Sequence, residues 1–448
     1  MRLPVLAFLA ALPAAALAGA APAASAPQPD LVVAADGSGD FKTIQAAVAS
    51  IPRDNRERRI VFIKDGTYHE KVRVDAAFVT LHGQSRTGTR LEFPQAAADP
   101  GARDGLGQAV LNINGDDCVV SNLTIENTHG VIGVHAFAVY GRGDRTVITD
   151  ANIWSQGNDT LSLWRTGNGE GARANPAGST APATSPNGRY YHARLDVRGS
   201  VDFICPRGWC YLTDSVMHEV NPNAEAAMWH DGSRDQDMKF VIRNCRFDGV
   251  EGWRFARHHH DAMIFVLDST FSRSMRDVQP KRVIYPINGG PATAADTKKN
   301  TDADPTNIWG ERFYYYNTHR EGGDFAWHAD NLASAPGAPR PEQVTAKWTF
   351  AGKWDPENTA GPTVVKVAPA DGRVAVTFSE NVTVKGRPRL ALRSGAFADY
   401  AAGSGSDTLV FNPPAGAAST AKGIDLQGGA ILACEASAAL RFADLKLH

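Results

Sequence analysis

Three charged residues each interrupt or end an apolar, strand-like segment: Asp159 in SQGNDTLSLW, Asp202 in RGSVDFI and Arg257 in WRFARHHHD. An ionised aspartate oriented by an arginine can attack an ester carbonyl, and a second, less solvated aspartate can hold a proton for the leaving alkoxide. Nearby amide or hydroxyl groups would stabilise the oxyanion. The trio is sufficient for an ester hydrolase without serine or metal, although a structural ion-pair network is the commoner explanation.

A repeat indicates how residues so far apart in sequence could meet. In six strand-like segments a polar residue is followed three positions later by an apolar one, and most of the segments recur at about 20 to 30 positions. The polar residues are Asn122, Asp150, Arg194, Asp214, Asn244 and Asp268. Asn-Gly or Asp-Gly hairpin turns are nearly absent between them, which argues against a sandwich of hairpins. We predict an all-β fold, a right-handed parallel β-helix in which candidate side chains from successive coils share one face.

Two further segments belong to this solenoid. An amphipathic helix over residues 43–51, opened by Thr43 and stopped near Pro52, is predicted to cap its N-terminal end. The one long interval in the repeat contains an insertion, 165–188, of mostly Gly, Ala, Pro, Ser and Thr. This composition predicts a mobile surface loop, which lies between the two candidate aspartates.

The composition changes after Trp354. Alternating apolar residues such as Val374, Val376 and Phe378, with turns at Asp371-Gly372 and Gly386, are typical of a half-buried antiparallel sheet. We predict a β-helix over residues 30–360 and an accessory β-sandwich over 361–448. The stretch GSGSDTL at 403–409 resembles immunoglobulin-like modules of secreted bacterial enzymes.

The N-terminus predicts export. Arg2, an apolar run and Ala16-Leu17-Ala18 have the layout of a signal peptide over residues 1–18, followed by a flexible leader over 19–29. No later segment is apolar over the roughly 20 residues that span a bilayer. The expected location is therefore secreted or periplasmic, with no membrane span.

Charge and cysteine content set further limits. Lys plus Arg number 46 and Asp plus Glu 48, so the balance gives no reason to expect nucleic acid as a partner. We expect a monomer. Of the five cysteines, Cys205 and Cys210 are close enough in sequence to form a disulfide, and the other three could equally be isolated buried thiols.

Several segments, taken in order over about residues 31–354, resemble the pectin methylesterase family. They are DGSGDFKTIQAAV, DGTYHEKV, GDDCVVSNLTIENT, NDTL, GRYYHARLDVRGSVDFI and FARHHHD. The resemblance implies Asp202 as nucleophile, Asp159 as general acid and base, and Arg257 as the residue that orients Asp202. It also implies demethylation of methyl-esterified polygalacturonate (pectin), a polysaccharide partner and no cofactor.

The chain departs from the family pattern around these residues. Asn158 and His135 stand where the family has glutamines that stabilise the oxyanion, and Gln156 is another candidate for that role. His259 takes the position of a sugar-stacking tryptophan. The resemblance therefore implies an altered substrate pocket in a divergent, bacterial-type member.

We call the surface of the shared face around Asp159, Asp202 and Arg257 the groove. Aromatic residues predicted near it are candidates for substrate contact: Phe203, Trp229 and Trp253. For any single tryptophan, packing on the solenoid is the commoner role. The run 258–260 of three histidines suggests a metal, but consecutive strand residues alternate between faces, and we expect no metal site.

Two alternatives remain open. The same residues could hydrolyse a different ester or thioester. Loss of the glutamines and the tryptophan could instead leave a non-catalytic polysaccharide-binding protein, because a shared fold implies less than a shared site.

Overall fold

The structure, a computed structural model, describes residues 29–165, 187–223, 225–230, 235–259, 261–287, 289–304, 307–358, 362–416, 420–427 and 430–433. The predicted signal peptide, nearly all of the leader, most of the 165–188 insertion and Cys434 lie outside these ranges.

Parallel strands stack coil upon coil into three faces, which confirms the predicted parallel β-helix. Face 1 contains Val72–Val74, Ala109–Ile113, Phe137–Gly141, Leu161–Trp164, the first part of Ile204–Thr213, Ala226–Trp229, Arg254–His258 and Lys281–Arg282. Face 2 contains Leu31–Val33, Arg59–Ile63, Val79–Gly83, Val119–Ser121, Thr146–Thr149, Gly188–Ala193, the second part of Ile204–Thr213, Phe240–Arg243, Ala262–Leu267 and Glu311–Tyr316. Face 3 contains Gly66–His69, Thr89–Phe93, Thr124–Asn127, Asn152–Ser155, Asp196–Gly199, Val216–Glu219, Arg246–Gly249, Thr270–Phe271 and His319–Arg320.

The repeat seen in the sequence is the corner between faces 2 and 3. All six of its polar residues adopt left-handed backbone conformations, with φ between 50° and 59°. Asn and Asp tolerate this region because their short side chains bond locally. Arg194 is the exception in residue type, and its guanidinium binds the carboxylate of Asp150 in the preceding coil. The left-handed backbone needed at each corner thus explains why a polar residue recurs three positions before each inward-facing apolar residue.

The N-terminal helix is Ile44–Ala49, slightly shorter than predicted. Thr43 caps it, because its side-chain oxygen accepts a hydrogen bond from the Ala46 backbone at 3.2 Å. The carboxylate of Glu70 accepts two more bonds, from Ile44 and Gln45. The buried face of this helix packs on the first coil and extends the apolar core that fills the solenoid.

A return segment follows the last coil, and its part from Leu332 onward covers the outer surface of face 2. It contains the short helix Ala346–Thr349 and the 3-10 turns Ala326–His328, Leu332–Ser334 and Pro341–Gln343. Another 3-10 turn, Pro100–Arg103, precedes the second strand of face 1. The apolar residues from Leu332 onward pack on outward-facing residues of face 2, among them Val119, Tyr211 and Phe265. Trp327, earlier in the segment, packs instead on the C-terminal end of the solenoid core. Face 2 is therefore buried on both sides.

The C-terminal strands form a seven-stranded sheet with its own core. They are Val364–Ala370, Arg373–Lys385, Arg389–Leu392, Phe397–Ala402, Ser406–Asn412, Ala421–Asp425 and Ala430–Ala433. The pairing is antiparallel, as predicted, and Asp371 and Gly372 form the first hairpin turn with φ of 46° and 76°. The strands make one continuous hydrogen-bonded sheet, so the domain boundary and the likeness to immunoglobulin modules remain predictions.

The four described cysteines are buried free thiols. Cys205 and Cys210 lie on the same strand, Ile204–Thr213, and the disulfide considered from sequence is not formed. None of the helices in the described part of the chain has the length and apolarity needed to cross a membrane.

Candidate active site

The two candidate aspartates occupy equivalent positions in successive coils at the start of face 1. Asp159 lies two residues before the strand Leu161–Trp164, and Asp202 lies two residues before the strand Ile204–Thr213. The two strands are paired, with Leu161 opposite Ile204. Both backbones are left-handed, with φ of 57° at Asp159 and 50° at Asp202. The Asp159 amide donates to the Val201 carbonyl at 2.9 Å. Because adjacent strands lie about 4.8 Å apart, the two acids are direct neighbours.

Asp202 forms a two-point ion pair with Arg257. The guanidinium Nε donates to Oδ1 at 2.9 Å and Nη2 to Oδ2 at 2.7 Å. Arg257 lies two coils further along face 1, with its guanidinium carbon 5.5 Å from the centre of the Trp229 ring. Burial raises the pKa of Asp202, which is only 5% exposed, while the Arg257 charge acts in the opposite direction. The pairing expected from sequence is present.

Asp159 forms a second ion pair, with His135. The distance from His135 Nε2 to Asp159 Oδ2 is 2.9 Å. The backbone of His135 is bridged to that of Asn158, which sets the imidazole beside the next residue, Asp159. The hydrogen bond to Asp159 raises the pKa of His135. His135 was predicted as an oxyanion or binding residue, and its contact with the second acid was not foreseen.

The amide of Asn158 is engaged by the protein itself. Its Nδ2 donates to the Gly133 carbonyl at 2.9 Å, and its Oδ1 accepts from the Ser200 hydroxyl at 3.0 Å. Ser200 in turn accepts from the Gly133 amide. Asn158 therefore fixes the turn that carries His135, while Gln156, the other oxyanion candidate, is exposed next to it.

His259 contributes to an aromatic wall next to Arg257. Its ring meets the Trp229 ring edge-on, with centroids 4.1 Å apart, and its Nε2 lies 3.1 Å from the Tyr285 hydroxyl. Asn300, on the helix Ala294–Ala303, holds Tyr285 by bonding both its backbone amide and its carbonyl. Tyr285 was not predicted, because it lies outside every segment that carries the family resemblance.

Two predicted substrate-binding residues are corrected. Phe203 and Trp253 are both 0% exposed and belong to the apolar core of the solenoid. Trp253 stacks on Phe247 and donates its indole N–H to Ser272. Their side chains face the interior and have no access to a ligand in the groove. Of the three aromatic candidates, only Trp229 lies beside the charged residues.

The adjacent histidines have different partners. His258 Nε2 lies 3.1 Å from Glu311, whereas His259 faces Trp229 and Tyr285; His260 lies outside the described residues. Among the residues that are described, no cluster of three or more His, Cys, Asp or Glu side chains could hold a metal ion.

The groove has partly apolar walls. A cavity of about 210 Å³ adjoins Arg257 and is lined by Arg254, Lys281, Ile284 and Ile287 among others. Both isoleucines are half exposed. This cavity extends the open surface of face 1 beyond Arg257, on the side where the coils continue toward the C-terminus.

Fold and site together define a class of protein: a parallel β-helix with two adjacent aspartates on one face, one paired with an arginine and the other with a histidine. Residues 30–165 match the Pectinesterase family model. A probable pectinesterase/pectinesterase inhibitor of Brassica napus is 28% identical over 227 residues, covering 49% of this chain and 35% of that protein. Probable pectinesterase 49 of Arabidopsis thaliana is 28% identical over 236 residues, covering 51% and 58%.

The fold comparison agrees with the sequence comparison. The pectin methylesterase of Erwinia chrysanthemi superposes with a TM-score of 0.54 at 18% identity, covering 74% of this chain and 99% of that one. The chain thus resembles the pectin methylesterase family in sequence and has its fold. The matches span only about a third to three fifths of the two plant relatives. The family-model match includes His135 and Asp159 and ends before Asp202 and Arg257.

Proposed function

We propose that this protein is an exported esterase that removes methyl groups from a methyl-esterified polyuronide such as pectin. The observation that carries the proposal is the Asp202–Arg257 pair, in register with Asp159 on face 1 of the solenoid. The Pectinesterase match and the pectinesterase names of the relatives support the choice of ester. The predicted signal peptide supports export.

In this proposal Asp202 attacks the ester carbonyl. Arg257 cannot lose its proton at physiological pH, so it orients the carboxylate and favours its ionised, nucleophilic form. The attack forms an acyl–Asp202 anhydride and expels methoxide, which takes a proton from the Asp159 side of the groove. Water activated on the same side then hydrolyses the anhydride, releasing the uronate and restoring Asp202.

The aromatic wall supports a sugar polymer as the substrate. His259 and Tyr285 present partly exposed rings beside Arg257, with His259 packed on Trp229, which is itself only 7% exposed; such rings suit the apolar faces of sugars. The cavity of about 210 Å³ beside Arg257 offers room for a sugar unit next to the charged residues. A polysaccharide is therefore the proposed partner.

The test is release of methanol from highly esterified pectin by the purified protein. The Asp202→Asn variant is expected to lose at least about 10³-fold in rate while its circular dichroism and melting temperature stay close to wild type. Asp150→Asn is the matched control, because Asp150 has the same left-handed backbone and a similar two-point arginine partner on another corner.

Three outcomes separate the alternatives. Methanol release that survives Asp202→Asn would contradict the assignment of the nucleophile. Cleavage of small acyl esters with none of pectin would point to a different ester. Retention on immobilised pectin without any ester cleavage, unaffected by Asp202→Asn, would point to a binding protein.

A further inference from the structure

The two aspartates of the site have partners of different chemical kinds. Asp202 is paired with a guanidinium, which stays charged at any physiological pH, whereas Asp159 is paired with an imidazole, which can gain and lose a proton near neutrality. The second pair is also the more open one, because the His135 side chain is 59% exposed while that of Asp159 is 8% exposed. Of the two pairs, His135–Asp159 is the one that can exchange a proton with a ligand.

We propose that His135, held by Asp159, is the catalytic acid and base of this site. This inference rests on the proposed ester hydrolysis. It assigns to His135, and not to Asp159, the proton that is given to the leaving methoxide and later taken from water. His135 stands where the family resemblance implies a glutamine, which cannot transfer a proton at neutral pH. A histidine at this position therefore adds to the groove a group that can donate and accept a proton.

The contact places the imidazole between Asp159 and the solvent-facing side of the site. His135 Nε2 lies 2.9 Å from Asp159 Oδ2, and the imidazole is the exposed member of the pair, so it is the ring that can present a proton to a ligand. Asp159 then acts on the imidazole as aspartate acts in other Asp–His pairs, fixing its orientation and stabilising its positive charge. With Nε2 directed at Asp159, Nδ1 carries the second N–H of the charged ring.

The proton balance closes over one cycle. Asp202 adds to the ester carbonyl, the C–O bond to methoxide breaks, and imidazolium gives its proton to that oxygen, which leaves as methanol. Neutral His135 then takes a proton from water as the water oxygen attacks the anhydride, and the Asp202 carboxylate is the leaving group. The product acid releases one proton to solvent, and His135 is again charged.

Other charges around the ring favour its protonated form overall. Asp159 and Asp202 both attract the positive charge, and Arg257 and partial burial oppose it. These groups come from the coil of Asp159, the next coil and the coil of Arg257, which are the elements that face the imidazole across face 1. The net direction is a pKa of His135 above its ordinary value.

The experiment compares His135→Gln with wild type over a range of pH and on two esters. With pectin, kcat of the variant is expected to fall about 10² to 10⁴-fold, and the loss of wild-type activity at high pH should disappear. With p-nitrophenyl acetate, acylation should be much less affected, because nitrophenolate leaves without a proton. A purely structural role of His135 would lower both activities alike.

A second measurement does not depend on the substrate. The ring of His135, identified in the NMR spectrum as the signal absent from His135→Gln, should titrate with the pKa of the high-pH limb. In Asp159→Asn this pKa should fall by about 1 to 3. His319→Gln is the control, because it removes a His–Asp pair of 3.0 Å on face 3 whose histidine is similarly exposed, at 62%, and it should leave the pH profile unchanged.

The outcomes separate this inference from the proposed function. A His135→Gln enzyme that demethylates pectin with unchanged kcat and pH profile would overturn the role of His135 and leave the function standing. Cleavage of an alkyl acetate, but not of pectin, with the same dependence on His135 would support the inference and overturn the substrate. Absence of hydrolysis of every ester would overturn both.

Discussion

At the scale of residues, the geometry of the Asp202–Arg257 pair matters as much as its charge. Both oxygens of the carboxylate are bound by the planar fork of one guanidinium. Lysine offers a single ammonium on a flexible stem and cannot reproduce two parallel hydrogen bonds. Arg257→Lys is therefore expected to lower kcat on pectin about 10²-fold with a smaller change in KM, because misplacement of a nucleophile mainly affects the transition state.

The control for this substitution is Arg194→Lys, which changes the equivalent two-point pair with Asp150 away from face 1. It should leave both kinetic constants within about twofold of wild type, within ordinary experimental scatter. Equal effects of the two lysine variants on kcat would show that Arg257 has no special relation to the nucleophile.

The acid side of the pH profile should report Asp202. In the proposed mechanism only the ionised form of Asp202 attacks the ester, and burial raises the pKa of this carboxyl group. Activity is therefore expected to fall with decreasing pH at values above the usual pKa of aspartate, about 3.9. A pH-stat measurement of kcat/KM on pectin checks this. A limb at the ordinary aspartate value would mean that Arg257 fully offsets the effect of burial.

At individual positions, the sequence predicted the charged residues of the site but not which aromatic residues face it. The positions of Asp159, Asp202 and Arg257 followed from motifs, but Phe203 and Trp253 were assigned to the groove although they face the core. In a strand, the next residue points to the opposite side, so a motif locates a segment without fixing which neighbour faces the ligand. Tyr285 contacts His259 through a segment that carries no motif.

At the scale of elements, buried ion pairs fix the corner between faces 1 and 2. Asp144 is 0% exposed and binds both Arg145 and Arg189, and Asp116 binds Arg165 in the same cluster. Arg165 and Arg189 flank the predicted 165–188 insertion. The described ends of the insertion are thus buried and anchored, a feature that its composition alone did not indicate.

We expect Asp144→Ala to lower the free energy of unfolding by about 3 to 5 kcal/mol, since it removes the carboxylate that binds the buried Arg189 and one of the two carboxylates that bind Arg145. Burial would raise the pKa of Asp144, but its arginine partners outweigh this and lower it to about 2. The stabilisation is therefore present above the unfolded-state pKa of about 3.9 and is lost as pH falls toward 2. Urea unfolding at pH 7 and at pH 3 measures both effects.

Glu342→Gln serves as the comparison, because it weakens only the exposed Arg340–Glu342 pair, which solvent screens, and should have a much smaller effect than Asp144→Ala. A similar cost for Asp144→Ala and Glu342→Gln would contradict a structural role for the buried cluster.

At the scale of the whole molecule, the chain returns along its own solenoid. Phe350 and Trp354 of the return segment pack together over face 2, and Glu357 accepts a hydrogen bond from Tyr191 at 3.1 Å. The C-terminal sheet then contacts the first coil, where the Arg58 amide donates to Thr383 Oγ1 at 3.2 Å. The last part of the chain thus stabilises the first.

Phe350→Ala tests this closure. Phe350 is 1% exposed, and its removal should lower the free energy of unfolding by about 3 to 5 kcal/mol, because it leaves a cavity between the return segment and face 2. Val365→Ala, at a 66% exposed position, should change it by less than about 0.5 kcal/mol. Thermal and urea unfolding measure both. A loss below about 1 kcal/mol for Phe350→Ala would mean that the return segment contributes little to stability.

The sequence by itself determined the features that depend on local residue types. Polar residues that tolerate a left-handed backbone marked the coil corners, the apolar period marked the inner positions, and Thr43 and Asp371-Gly372 marked a helix start and a hairpin. Only the tertiary structure decided which charged side chains pair with one another in the site. Asp202 and Arg257 are 55 positions apart, and His135 meets Asp159 because two coils stack in register. Such contacts depend on how successive coils stack, which local residue types do not specify. For this reason His135, predicted as an oxyanion or binding residue, was found paired with Asp159.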